Sequence, residues 1–89
     1  MIIKNTYAVL VGKLIKELRM NAGYTASQFS RLVGCKSEQQ LYRYERGVNK
    51  MDIDTLVLSI KLLNIDIKEF FERIDAIAQQ ETMSCNEDI

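Results

Sequence analysis

The sequence predicts an all-α domain, a compact arrangement of five helices. Three observations carry this. Apolar residues recur at spacings of three and four along most of the chain, and no stretch alternates in twos. Three cap-forming residues are each followed three positions later by Gln or Glu, the sequence form of a capping box: Thr25 with Gln28, Ser37 with Gln40, and Asp66 with Glu69. The periodic stretches stop at Gly23, Gly34, Gly47 and Asn64, residues that take the left-handed conformation at helix ends, in a chain without proline.

The first helix is expected over residues 6–22, with Leu10, Leu14 and Leu18 on one face beside Val11 and Ile15. Gly12 inside it costs about 1 kcal/mol relative to Ala, so a close backbone contact there would explain its presence. The second helix, residues 26–33, turns Phe29 and Val33 inward. Gly34, Cys35 and Lys36 break it, and the third helix runs from Glu38 to about Arg46. Two short helices around a tight glycine-containing turn form a helix-turn-helix. Asp52 caps a fourth helix to about Leu63, with Ile53, Leu56, Ile60 and Leu63 as its core stripe. The fifth follows Asp66 with Ile67, Phe70, Phe71, Ile74 and Ile77 on one stripe. From about Gln79 the period is lost, so residues 1–78 are read as the domain and 79–89 as a flexible acidic tail.

Several function classes fall away on composition. At 89 residues and 10.3 kDa there is no room for separate cofactor and substrate domains. Without histidine, with Cys35 and Cys85 far apart, and with no Gly-rich phosphate loop or nucleophile–base pair, neither an enzyme nor a metal or cofactor site is expected. There is no apolar run long enough to span a membrane, and Met1 to Thr6 do not read as a signal peptide, so a cytoplasmic location is expected. Cys35, beside Lys36, reads either as an oxidant-sensing thiol or as a small filler.

The net charge of zero hides a division. Residues 1–50 carry nine basic and three acidic residues; residues 51–89 carry three basic and nine acidic ones. A basic half would meet a polyanion while the acidic half is held away from it, unless the segregation is an accident of a solvated surface.

The third helix carries the chemistry. At 100° per residue, Leu41, Tyr44 and (if the helix reaches it) Val48 share an apolar arc, with Glu45 at its border. The opposite arc holds Glu38, Gln39, Gln40, Tyr42, Arg43 and Arg46, with no Lys and one acid. Gln can pair bidentately with adenine, Arg with guanine, and Glu can accept from cytosine, so Glu38, Gln39, Gln40, Tyr42 and Arg43 are the candidate base readers of a major groove. A polar face chosen for solubility would mix Lys and Glu instead.

The order of Leu18-Arg19, Thr25 and Gln28, the short turn, Arg43-Tyr44-Glu45-Arg46-Gly47, the Leu-rich helix and Asn64-Ile65-Asp66 resembles the XRE (Cro/phage-repressor-like) helix-turn-helix regulators. The resemblance covers about residues 10–72. It implies a phage-repressor DNA-binding fold, a cytoplasmic regulator associated with the nucleoid when bound, and double-stranded DNA as the partner. Residues 37–50 also resemble a subgroup associated with fimbrial operons that represses motility genes. By matching position, the resemblance implies that Glu38, Gln39 and Arg43 contact bases with Tyr42 nearby. Thr25 and Gln28 would meet one phosphate, and Ser37, Arg46, Asn49 and Lys50 the backbone on the other side. Lys36 adds a further phosphate contact. Ala26 stands where the family often has a phosphate-binding Gln, and the turn from Gly34 to Ser37 is one residue longer than usual. Glu45 needs a partner because an unpaired buried charge is costly, and the resemblance suggests Arg19.

Leu58, Leu62, Phe71, Ile74 and Ile77 exceed what one small core needs. They suggest a homodimer through the fourth and fifth helices, reading a pseudo-palindromic operator; residues 1–7 folding over the fourth helix are the alternative cover. A protein-binding module such as an antitoxin, using the acidic tail to hold a basic partner, is the second functional class.

Overall fold

The computed structural model describes residues 7–87, with side chains described through residue 80. Within these limits the chain forms five helices: α1 (Tyr7–Asn21), α2 (Ala26–Leu32), α3 (Glu38–Glu45), α4 (Ile53–Leu62) and α5 (Ile67–Glu87). There is no strand among the described residues. Residues 1–6, offered above as an alternative cover for the fourth helix, and the side chain of Cys85 lie outside the description.

Helix starts follow the capping chemistry. Thr25 and Gln28 form both arms of their box, each at 3.1 Å. Asp52 accepts from the Thr55 N–H at 3.0 Å, and Asp66 from the Glu69 N–H at 3.3 Å. Helix ends are equally regular. After α1, α2, α3 and α4 the chain turns at Gly23, Gly34, Gly47 and Asn64, all at positive φ. In each case the residue after the turn donates back five positions, as Val48 N does to Arg43 O at 2.9 Å. This is the Schellman motif, which satisfies helix carbonyls that would otherwise lack donors.

One core follows. Leu10, Val11, Leu14 and Ile15 of α1 meet Phe29 and Val33, Leu41, Ile60, and Phe70 and Ile74. α1 is the central element, packed on both α3 and α5, while α2 packs on α3. Tyr7 adds a peripheral tie, its hydroxyl donating to Asp75 of α5 at 3.1 Å.

Four sequence expectations need correction. Ile53, assigned to the core stripe of α4, is 75% exposed, and Leu56 and Leu63 are only partly buried. The residues buried on that face are Thr55, Ser59 and Ile60. Their hydroxyls carry no burial penalty, because Thr55 donates to Asp52 at 2.8 Å and Ser59 to the Thr55 carbonyl at 2.8 Å. Val48 is 66% exposed, since α3 has already ended and Gly47 redirects the chain. Ile74, assigned to a subunit interface, is fully buried in the chain's own core. Finally, α5 continues through Glu87, past the fraying expected from Gln79. Losing the apolar period does not end a helix when the segment holds neither Gly nor Pro.

Gly12 explains its own presence. A Cβ there would overlap the Tyr44 carbonyl oxygen and sit 2.9 Å from that of Glu45, so α1 meets the end of α3 backbone to backbone. Gly47 makes the matching approach, where a Cβ would lie 2.8 Å from the Val9 Cα. Gly12→Ala should therefore destabilise the protein despite its better helix propensity. The overpacking cost of about 1–3 kcal/mol or more outweighs a gain of about 1 kcal/mol. Urea denaturation should show a lower midpoint; a higher one would mean that the two helices are not in contact there.

Candidate nucleic-acid interface

Three elements fix α3 before any surface is presented. Its N-terminus is capped by Ser37, whose hydroxyl accepts from the Gln40 N–H at 3.2 Å. Its inner face buries Leu41, Tyr44 and Glu45. Its last residue is held by an ion pair, with Arg19 Nε donating to Glu45 Oε2 at 2.7 Å and Nη2 to Oε1 at 3.3 Å. Arg19 Nη1 also donates to the Tyr24 carbonyl at 3.0 Å. One guanidinium thus ties the last turn of α1, the loop after it and the end of α3. Both side chains are almost wholly buried, at 8% and 1% exposure. No buried side-chain polar atom among the described residues lacks a partner.

The outer face then consists of Glu38, Gln39, Tyr42 and Arg43, all exposed. Among the described residues none of these four side chains is engaged by another part of the chain, so their donors and acceptors face outward. Arg46, Asn49 and Lys50 are exposed just beyond α3, and Lys36 and Ser37 just before it. Thr25 and Gln28 are exposed at the entry to α2, bonded to each other.

Gln40 departs from its expected place. Its box with Ser37 forms by only one arm. The Gln40 Oε1 accepts from the backbone N–H of Lys36 at 2.7 Å, and Nε2 donates to the Tyr44 hydroxyl at 3.3 Å. Both ends of its amide are spent inside the chain.

Sequence reasoning missed Asp52 and Tyr44 as neighbours of this surface. The Tyr44 hydroxyl donates to Asp52 Oδ1 at 3.0 Å. The Thr55 backbone and hydroxyl donors hold the Asp52 carboxyl below its ordinary range; burial, followed by the hydrogen bond to Asp52, pushes the Tyr44 hydroxyl above its own. An apolar-arc tyrosine gives no sequence signal for such a partner. Cys35 is half-buried, and burial, then the charges of Asp52 and Glu45, raise its thiol pKa. That disfavours the thiolate an oxidant sensor needs.

The residues assigned to a subunit interface divide between surface and core. Leu58 and Phe71 are exposed, at 46% and 39%, whereas Leu62 and Ile77 lean on the chain's own core. No helix among the described residues is long and apolar enough to cross a membrane.

Residues 15–70 match the family described as Helix-turn-helix. An uncharacterized HTH-type transcriptional regulator of Rickettsia conorii is 32% identical over 65 residues, covering 73% of this chain and 51% of the relative. A similarly described protein of Rickettsia prowazekii is 31% identical over 65 residues, covering 73% and 49%. The chain spans about half the length of these curated relatives. The crystal structure of the clp gene regulator ClgR from Corynebacterium glutamicum superimposes with a TM-score of 0.74 over 92% of this chain and 90% of that one. At 16% identity that likeness shows a shared fold.

Breaking the buried ion pair from one side should be costly. Arg19→Ala or Glu45→Ala alone should lose about 3–5 kcal/mol, since each leaves a buried charge unpaired. Arg19→Met with Glu45→Leu should lose much less than the single changes added together. Urea titrations of the four proteins measure this; additive losses would show that the two side chains act independently.

Proposed function

This chain belongs to the helix-turn-helix family, and on that premise we propose that it is a sequence-specific DNA-binding transcriptional regulator that reads the major groove with α3. The observation that carries this reading is the outward face of α3. Glu38, Gln39, Tyr42 and Arg43 point their hydrogen-bonding groups away from a helix whose other side is locked. Arg43 suits guanine, Gln39 adenine, and Glu38 a cytosine amino group, with Tyr42 against a base edge or sugar. Gln40 supports the face from within, its amide being occupied.

Phosphate contacts bracket this face. Lys36, Arg46 and Lys50 supply charge, while Thr25, Gln28, Ser37 and Asn49 supply neutral donors. The acidic half of the chain then lies on the side away from DNA.

The finer reading is a homodimeric repressor acting in the cytoplasm at the nucleoid, on a pseudo-palindromic operator. Exposed Leu58 and Phe71 support the dimer, with Leu62 and Ile77 at the edge of the same helices. A two-fold pair would set its recognition helices about 34–36 Å apart, one turn of duplex. Regulation of fimbriae and motility genes rests on the resemblance of residues 37–50 alone.

Two measurements test this. In gel-shift titrations, log affinity should fall with log salt by about 0.9 per phosphate neutralised, and Lys50→Ala should flatten the slope by about that amount. Gln39→Ala or Arg43→Ala should cost about 1–3 kcal/mol on the preferred site and relax the choice of base there. A salt-independent affinity, or base discrimination unchanged in both variants, contradicts the reading. For the dimer, Leu58→Glu should give a monomer in analytical ultracentrifugation. A wild type that is already monomeric at tens of micromolar would remove the dimer while leaving DNA binding intact.

A further inference from the structure

A line of hydrogen bonds runs from the start of α4, through the interior of α3, to the backbone of the turn between α2 and α3. At one end Asp52 caps α4, accepting from the Thr55 N–H at 3.0 Å and the Thr55 hydroxyl at 2.8 Å. Its Oδ1 also accepts from the Tyr44 hydroxyl at 3.0 Å. The Tyr44 oxygen accepts from Gln40 Nε2 at 3.3 Å, and Gln40 Oε1 accepts from the Lys36 N–H at 2.7 Å.

The chemistry allows this line only one polarity. A carboxylate can only accept, and a backbone N–H can only donate. Tyr44 has a single proton, and it is committed to Asp52. Its oxygen must therefore accept, so Gln40 must turn its NH2 toward Tyr44 and its oxygen toward Lys36. Flipping the amide would break two bonds at once. The Tyr44 ring is buried, with the residue 7% exposed, while its hydroxyl meets Asp52 at a part-buried position.

Gln40 lies in the first turn of α3, beside the base-reading candidates Glu38 and Gln39. Lys36 lies in the turn that leads into it. We propose that Tyr44 and Asp52 are positioning residues for DNA specificity, holding Gln40 and the Lys36 backbone so that the first turn of α3 presents Glu38 and Gln39 at a fixed angle. This inference rests on the DNA-reading role proposed above. Neither Tyr44 nor Asp52 touches a base in this scheme; they act from the far side of the recognition helix. The line also spans the turn between α2 and α3, ending on its Lys36 N–H.

Tyr44→Phe is the informative variant, because it keeps the buried ring and removes only the hydroxyl. Asp52→Ser retains a cap but is too short to reach Tyr44. A preferred site is first selected from a random duplex library with the wild-type protein. Affinity is then measured on that site, on single-base variants of it and on an unrelated duplex. Tyr44→Phe should lower the ratio of specific to non-specific affinity by about five-fold, the equivalent of one hydrogen bond. Its affinity for the unrelated duplex and its salt slope should stay at wild-type values. Tyr44→Phe combined with Asp52→Ser should lose no more than Tyr44→Phe alone. The Lys36 backbone and Gln40 side-chain amide signals should shift in nitrogen-15 NMR spectra of free Tyr44→Phe.

A Tyr44→Phe protein that discriminates bases as well as wild type overturns the inference while leaving DNA reading intact. So does one that loses specific and non-specific affinity in equal proportion, which marks a purely structural role. A wild type that enriches no site from the library overturns both.

Discussion

The placement of α3, and with it the proposed recognition surface, depends on how closely α1 docks against the end of α3. That approach is possible because Gly12 presents no side chain to the Tyr44 and Glu45 carbonyls and Gly47 presents none to Val9. Once the backbones are that near, Glu45 is carried into the interior, and its charge requires the Arg19 guanidinium. The pair is better understood as a constraint than as a source of stability. Burying two charges roughly offsets their attraction, but any other docking of α3 on α1 would leave at least one of them unpaired. A helix of only eight residues, marginal on its own, is thereby held in one orientation.

With its inner side fixed, α3 can afford an outer side that contributes nothing to folding. Glu38, Gln39, Tyr42 and Arg43 form no contacts within the described residues that would explain their identities. Their donors and acceptors are spread over one arc of a rigid cylinder, which is what reading base edges requires. The division of charge along the chain has the same direction. The basic first half contains this arc and its flanks, and the acidic second half builds α4 and α5 behind it. Under the proposed function, association with DNA would then be oriented before contact.

Much of this was legible in the sequence because caps and stops are local chemistry. Thr25 with Gln28, Asp52, and the turns at Gly23, Gly34, Gly47 and Asn64 depend on residues within six positions of one another. Gly12 was legible as a cost that needed a reason, although its partner was not. Arg19 and Glu45 are 26 positions apart, and only the resemblance to a family linked them. What remained hidden involves polar groups that cancel internally. Thr55 and Ser59 lie off the apolar stripe assigned to α4, yet with Asp52 and the Thr55 carbonyl taking up their hydroxyls they are buried, and Ile53 is left outside. Gln40 read as one more groove-facing amide, because nothing in its spacing shows that its side chain takes up the Lys36 N–H. Ile74 read as surplus because apolar periodicity cannot say which of two stripes meets α1.

The claim at the centre of this account is that the rigid outer face of α3, with its flanking turns, is where DNA is met. Titrating nitrogen-15-labelled protein with a duplex carrying its selected site, and following backbone amide shifts, tests it most directly. The account predicts perturbations concentrated in residues 25–28 and 36–50, with the interior of α1 moving little and the outer faces of α4 and α5 unaffected. Perturbations centred on α4 and α5, with residues 38–46 silent, would contradict it.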